Sequence, residues 1–319
     1  MPEAIEILDS HSGTRAVIAP QLGFNCVSFS AVFDGETVEF LDSPSDVLNG
    51  SYRPSSFGIP ILFPFPNRIR LGRFEWEGQA YEIAPPPGRD HAIHGFCYDR
   101  PWRVTEQSED SVTGQFQLSV DDAGRRNGWP ADFLFDVRYR VAEHRLETQF
   151  RVTNPDRVPL PWGLGTHAYF RLPFSKNSRP GNCVFSIPVT EQWELIDSLP
   201  TGSRLPVEPL SRFRRGLRFG EARFDDVFTG WESDGGTVRS EIFDEHAGIQ
   251  LMQVCDAELF TNAVLFTPPD RDALCIEPYT CVTDAINLHS QDVTTGLQVL
   301  APGKTAQTWA VLQASRIMA

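Results

Sequence analysis

Five short clusters hold the side chains best suited to chemistry: Asn67-Arg68, His91 with His94-Gly95, His167-Ala168-Tyr169-Phe170, Asp225-Asp226 and Glu277-Pro278. Each lies beside turn-forming residues, where a rigid scaffold commonly presents functional groups from its loops. An imidazole with a reference pKa of about 6.5 and a carboxyl near 4.3 can pass protons between them around neutrality. Asn and Arg can donate hydrogen bonds to hydroxyls or stabilise developing negative charge. Each cluster also has a plain structural reading. Arg68 could pair with a surface carboxylate, Asp225 could cap a turn, and Glu277 could be the solvated end of a strand.

The elements that must position these groups follow a period of two. Phe133, Phe135, Val137, Tyr139 and Val141 alternate with mainly polar residues, and the pattern resumes over Leu146–Val152 after Ala142–Arg145, which predicts an antiparallel hairpin. A second hairpin is expected over Arg73–Trp76 and Gln79–Ile83, turning at Glu77-Gly78, where Gly supplies positive φ. Further strands are expected at Arg15–Ala19, Cys26–Phe33, Val112–Val120, Val238–Phe243, Ile249–Val254, Ala263–Phe266, Ala273–Glu277 and Gln307–Leu312. No long segment carries an amphipathic 3.6-residue pattern. With 25 Pro and 24 Gly between many short strands, the chain reads as all-β, a large antiparallel β-sandwich. The Pro-rich pieces Ala84–Gly88 and Asn177–Gly181 read as loops, so residues 1–319 are expected to form a single domain.

Composition narrows the partners. There are 28 Lys and Arg against 42 Asp and Glu, a formal charge of -14 over 319 residues, which repels nucleic acid and anionic membrane surfaces. The segment Met1–Glu6 lacks a basic, apolar secretory leader, so a cytoplasmic location is expected. Six cysteines without a CxxC pair fit neither a dense disulfide scaffold nor a zinc knuckle, and most should be buried, reduced and inert. Arg204, Arg212, Arg214, Arg215, Arg218 and Arg223 form a basic group in this acidic chain. They read as solvated ion pairs or, alternatively, as a phosphate site.

Taken together and in order, the motifs resemble those of the aldose 1-epimerase, or galactose mutarotase, family. Gly58-Ile59-Pro60-Ile61-Leu62-Phe63-Pro64 followed by Asn67-Arg68-Ile69 and Gly72-Arg73-Phe74 is similar to its amino-terminal signature. His94-Gly95 before Trp102 resembles its His-Gly loop, and Pro161–Phe170 its His-x-Tyr-Phe segment. Phe224–Phe228 is similar to the Asp loop, Ile276–Thr280 with Asp284–Asn287 to the Glu segment, and Gly296–Gly303 to the closing strand entry.

The resemblance implies a galactose mutarotase-like supersandwich, a small sugar as partner, a monomer or homodimer, and neither cofactor nor metal. It implies His167 as general acid and Glu277 as general base, with Asn67, Arg68, His94 and Asp225 on the sugar; Asp226 is an adjacent alternative to Asp225. The reaction implied is interconversion of the α and β anomers of a free aldose by ring opening and closure. From its unperturbed pKa of about 4.3 Glu277 can start ionised, while His167, near 6.5, can hold a proton at neutrality if a neighbouring charge raises its pKa. The alternatives are a hexose-phosphate epimerase and a non-catalytic carbohydrate-binding or regulatory protein of the same fold. A glycosidase would set two carboxylates against each other, whereas this pair is mixed.

Overall fold

The computed structural model describes residues 4–49 and 51–317. Strands dominate it, and the α-helices among these residues are short: Leu118–Asp121, Leu210–Arg215 and Ala285–His289. None is long and apolar enough to cross a membrane.

Two large antiparallel sheets form the body. The first runs in the order Arg103–Gln107, Ser111–Gln117, Leu134–Ala142, Arg145–Thr153, Thr305–Arg316, Ile249–Asp256, Thr237–Asp244, Cys183–Ser186 and Leu217–Arg218, with Ser233–Asp234 attached to Thr237–Asp244. The second runs Leu199–Pro206, Val189–Ile196, Asp225–Trp231, Asn262–Phe266, Ala273–Tyr279, Gly165–Thr166 and Ile61–Leu62. Tyr169–Arg171 pairs with Ala273–Tyr279 as well. A meander of Ile5–Asp9, Thr14–Ala19, Asn25–Phe33 and Glu36–Glu39 forms a separate four-stranded sheet.

Alternation accounts for the first sheet. Phe133, Phe135, Val137, Tyr139 and Val141 are all fully buried, and the hairpin turns at Glu143 and His144, both with positive φ. The Glu77-Gly78 hairpin likewise forms, with both central residues left-handed as a primed turn requires. Aromatic rings fasten the two large sheets together. Phe63, just past Ile61–Leu62 in the second sheet, stacks on Phe135 of the first at 4.3 Å between centroids and also touches Phe133 and Trp162.

Three expectations need correction. The strand foreseen to Val120 ends at Gln117, and the chain turns into Leu118–Asp121, where the Asp121 carboxylate accepts the Gln117 amide at 2.6 Å. Glu277 does not end its strand, because Ala273–Tyr279 continues through Pro278, every residue of it buried. Asp225 opens a strand, Asp225–Trp231, in place of a free loop. The six cysteines are free and buried, as expected.

A two-residue ladder joins two of the polar clusters. Arg68–Ile69 pairs with Ala92–Ile93, which sets Asn67-Arg68 beside His94-Gly95. Asp284 secures it by accepting the Arg70 amide at 3.0 Å and donating its own amide to the Arg68 carbonyl at 2.8 Å. Gly95 has φ of +74°, and a Cβ there would lie 2.1 Å from the Phe63 carbonyl oxygen. Gly78 has a similar φ of +77° with open space around it. Gly78→Ala should therefore cost about 1–2 kcal/mol from left-handed backbone alone. Gly95→Ala should cost about 2 kcal/mol more, from the added clash. Urea unfolding of both variants measures the difference; equal losses would mean that the Phe63 contact is not tight.

Candidate functional site

The strands Asn262–Phe266 and Ala273–Tyr279 lie side by side near the middle of the second sheet, with Asp225–Trp231 and Gly165–Thr166 flanking them. A cleft of about 410 Å³ opens over this region, within the usual range for small-molecule sites. Asn67, Arg68, His94, His167, Asp225 and Glu277 all line it. All six residues singled out in the sequence thus meet at one cleft, although they span more than half the chain.

His167 follows the Gly165–Thr166 strand and is anchored by its amide to the Pro60 carbonyl at 3.0 Å. Its Nδ1 comes within 3.4 Å of Glu277 Oε1, too poorly aligned to count as a hydrogen bond. Both side chains are deeply buried, Glu277 at 1% exposure and His167 at 7%. The other oxygen of Glu277 accepts a 2.6 Å hydrogen bond from the Tyr279 hydroxyl, two residues along the same strand face. The carboxyl is therefore held from one side and offered to the imidazole from the other.

A stack fixes the imidazole. Tyr169 lies 4.6 Å from the His167 ring and nearly parallel to it, and the Arg271 guanidinium covers the far face of Tyr169 at 4.8 Å. Arg271 in turn pairs with Asp42 at 3.1 Å and donates to the Ser56 carbonyl. The Tyr169 hydroxyl donates to the Ser55 carbonyl at 3.0 Å and lies 3.4 Å from His167 Nε2.

Burial shifts both groups away from their ordinary solution values. Removal from water pulls the His167 pKa down to about 3, with smaller contributions from Arg271 and Arg53. The same desolvation pushes Glu277 well above the ordinary carboxyl range, against the opposing hydrogen bond from Tyr279. Burial therefore favours a protonated carboxyl facing a neutral imidazole over a carboxylate facing an imidazolium. Both descriptions hold the same one proton. Its position, and nothing else, differs.

His94 sits across from His167 with ring centroids 5.5 Å apart, and it too is kept neutral, by burial first and by His167 second. The neighbouring Arg68 donates to Asn67 Oδ1 at 2.9 Å instead of a surface carboxylate. Asp225 lines the cleft, whereas Asp226 points the opposite way along the strand and is occupied by Gln192 at 2.7 Å. The cleft-facing member of that doublet is thereby fixed as Asp225.

Other singled-out residues have structural jobs. His91 Nδ1 accepts the Leu71 amide, and Trp162 is buried in the core. The basic group is spent on the exterior: Arg204 pairs with Glu191, Arg212 with Glu221, Arg214 with Glu232 and Arg218 with Glu245, while Arg223 donates to the Pro268 carbonyl. None of the six arginines lines the cleft. Sequence reasoning missed Tyr279, which the period-two spacing from Glu277 could have revealed, and Arg53, Arg89 and Arg271, which sit in irregular segments without any pattern. His167, Cys275 and Glu277 could each turn one ligand atom toward a small cation, all within 4.8 Å of one another. Doing so would require the Cys275 thiol and the Glu277 carboxyl to release protons that burial holds on them.

The aldose 1-epimerase family model matches residues 11–313. The uncharacterized protein YihR of Escherichia coli is 23% identical over 233 residues, 71% of each chain. The bifunctional protein gal10 of Schizosaccharomyces pombe is 29% identical over 149 residues, 43% of this chain and 20% of that one. Among solved structures, a galactose mutarotase-like protein from Clostridium acetobutylicum superposes with a TM-score of 0.85 at 22% identity, covering 96% of this chain and 94% of that one. A GalM/aldose epimerase homologue from C. elegans gives 0.80 at 22% identity, covering 99% of both chains. With the family model spanning nearly its whole length and the fold shared with these structures, the chain belongs to the aldose 1-epimerase family.

Proposed function

We propose that this protein is a mutarotase, an isomerase that interconverts the α and β anomers of an aldose, with His167 and Glu277 as its acid–base pair. The observation that carries the reading is the 3.4 Å approach of a buried imidazole to a buried carboxyl at a cleft lined by Asn67, Arg68, His94 and Asp225.

Ring opening needs the anomeric hydroxyl to lose a proton while the ring oxygen gains one, and closure on the other face reverses both transfers. A pair holding one mobile proton meets that requirement, since each transfer in one direction is undone in the other. A sugar hydroxyl donated to Glu277 favours its ionised form and sends the resting proton to His167. Glu277 then accepts the anomeric proton and His167 delivers its own to the ring oxygen. Asn67, Arg68, His94 and Asp225 orient the hydroxyls, and the Arg68 guanidinium stabilises negative charge as the ring opens. The aldehyde rotates about its bond to the next carbon before the ring closes.

Glu277→Gln and His167→Asn should each lower kcat for anomeric exchange by about 10²-fold or more while keeping the wild-type thermal unfolding profile. Exchange NMR with the buffer rate subtracted provides the measurement, and activity within about threefold of wild type in either variant would remove that residue from the mechanism. The pH profile should also be unusually broad. A second proton on the pair is resisted by the depressed His167, and loss of the shared proton is resisted by the elevated Glu277. The acid limb therefore lies well below the ordinary imidazole value of about 6.5 and the alkaline limb well above the ordinary carboxyl value of about 4.3. An acid limb centred near about 6.5 would mean an ordinary, solvated imidazole.

A further inference from the structure

The basic group conspicuous in the sequence is not the one that surrounds the cleft. Arg53, Arg68 and Arg89 line it, and among the described residues none of the three has a carboxylate at salt-bridge distance. Arg53 comes from the irregular stretch before Ile61, Arg89 from the loop after Glu82, and both are exposed at the mouth, whereas Glu277 and His167 are buried at the floor. Arg271 also reaches the lining, but its charge is taken up by Asp42.

Three guanidiniums held around one opening repel one another. Arg89 shows this: desolvation disfavours its charge first, followed by Arg53 and Arg68, with smaller opposing contributions from Tyr98 and Asp225. Arg53 and Arg68 likewise help to keep His94 neutral. In a chain of formal charge -14, carboxylates to neutralise such a cluster are plentiful. On the exterior, Arg204, Arg212, Arg214 and Arg218 have each found one. Hydroxyl recognition alone needs hydrogen-bond donors and acceptors, not three uncompensated cations, whereas planar guanidinium forks match the oxygens of a carboxylate or phosphate.

Resting on the mutarotase reading, we infer that the aldose taken by this cleft carries an anionic group, a carboxylate or a phosphate ester, held at the mouth by Arg53 and Arg89 with Arg68 beside them. Arg53 and Arg89 are then specificity-determining residues that act on binding.

Anomeric exchange of glucose and galactose, their uronates and their 6-phosphates, measured by NMR at one ionic strength, tests this. At least one anionic sugar should have kcat/KM about 10-fold or more above its neutral parent, and the ratio should shrink as NaCl is raised. Preference for the uronates would identify a carboxylate, and preference for the 6-phosphates a phosphate ester; either supports the inference. The Arg53→Gln/Arg89→Gln double variant should bring the ratio toward one, mainly through KM, and Arg89→Lys should restore part of it to an Arg89→Gln background. Neutral sugars exchanged as fast as both anionic classes would overturn the inference while leaving the mutarotase reading standing, and so would an anion preference untouched by the double variant. Acceleration of none of these sugars would overturn both.

Discussion

The desolvated contact between Glu277 and His167 is the constraint on which the rest of the structure depends. Removal from water disfavours both the carboxylate and the imidazolium, so this close contact favours the uncharged forms of both groups, with one mobile proton between them. Much of the surrounding architecture keeps that arrangement dry and rigid. The Ala273–Tyr279 strand is buried along its whole length, Tyr279 clamps one carboxyl oxygen, and the Arg271–Tyr169–His167 stack prevents the imidazole from turning away.

The large sheets do the holding. Glu277 rides on a strand bonded on both sides, so its position is fixed by ladder hydrogen bonds and not by a loop. His167 lies on the adjoining segment, and the Asn67-Arg68 and His94 segments are brought over the sheet by a two-residue ladder tied down through Asp284. Behind them, Phe63 and Phe135 bind one sheet to the other. Placement of this kind, on strands with a packed aromatic layer beneath, holds two neighbouring titratable groups more tightly than mobile loops would.

Much of this was legible in the sequence, for identifiable reasons. The period-two runs around Phe135 and Phe150 define hairpins because one face must be buried, and the Gly78 turn follows from its φ. Family resemblance brought six separated positions to a single cleft. Strands such as Val189–Ile196, Leu199–Pro206 and Arg103–Gln107 escaped notice because their exposed, polar or proline-containing residues mask the alternation. Charge state was illegible: the burial that depresses His167 and elevates Glu277 comes from segments distant in sequence, and a reference pKa carries no knowledge of them. The basic residues misled for a related reason. Clustered arginines drew attention and proved to lie on the exterior, most of them in ion pairs, while Arg53 and Arg89 converge only through the fold.

The central claim is that a sugar ring is held with its anomeric hydroxyl and ring oxygen presented to this pair. A crystal structure with bound aldose tests it most directly. The expected result places the anomeric oxygen and the ring oxygen within about 2.6–3.2 Å of the Glu277 carboxyl and the His167 imidazole respectively, with the remaining hydroxyls reaching Asn67, Arg68, His94 or Asp225. A sugar bound elsewhere on the molecule, or bound in the cleft with its anomeric carbon turned away from both groups, would contradict it.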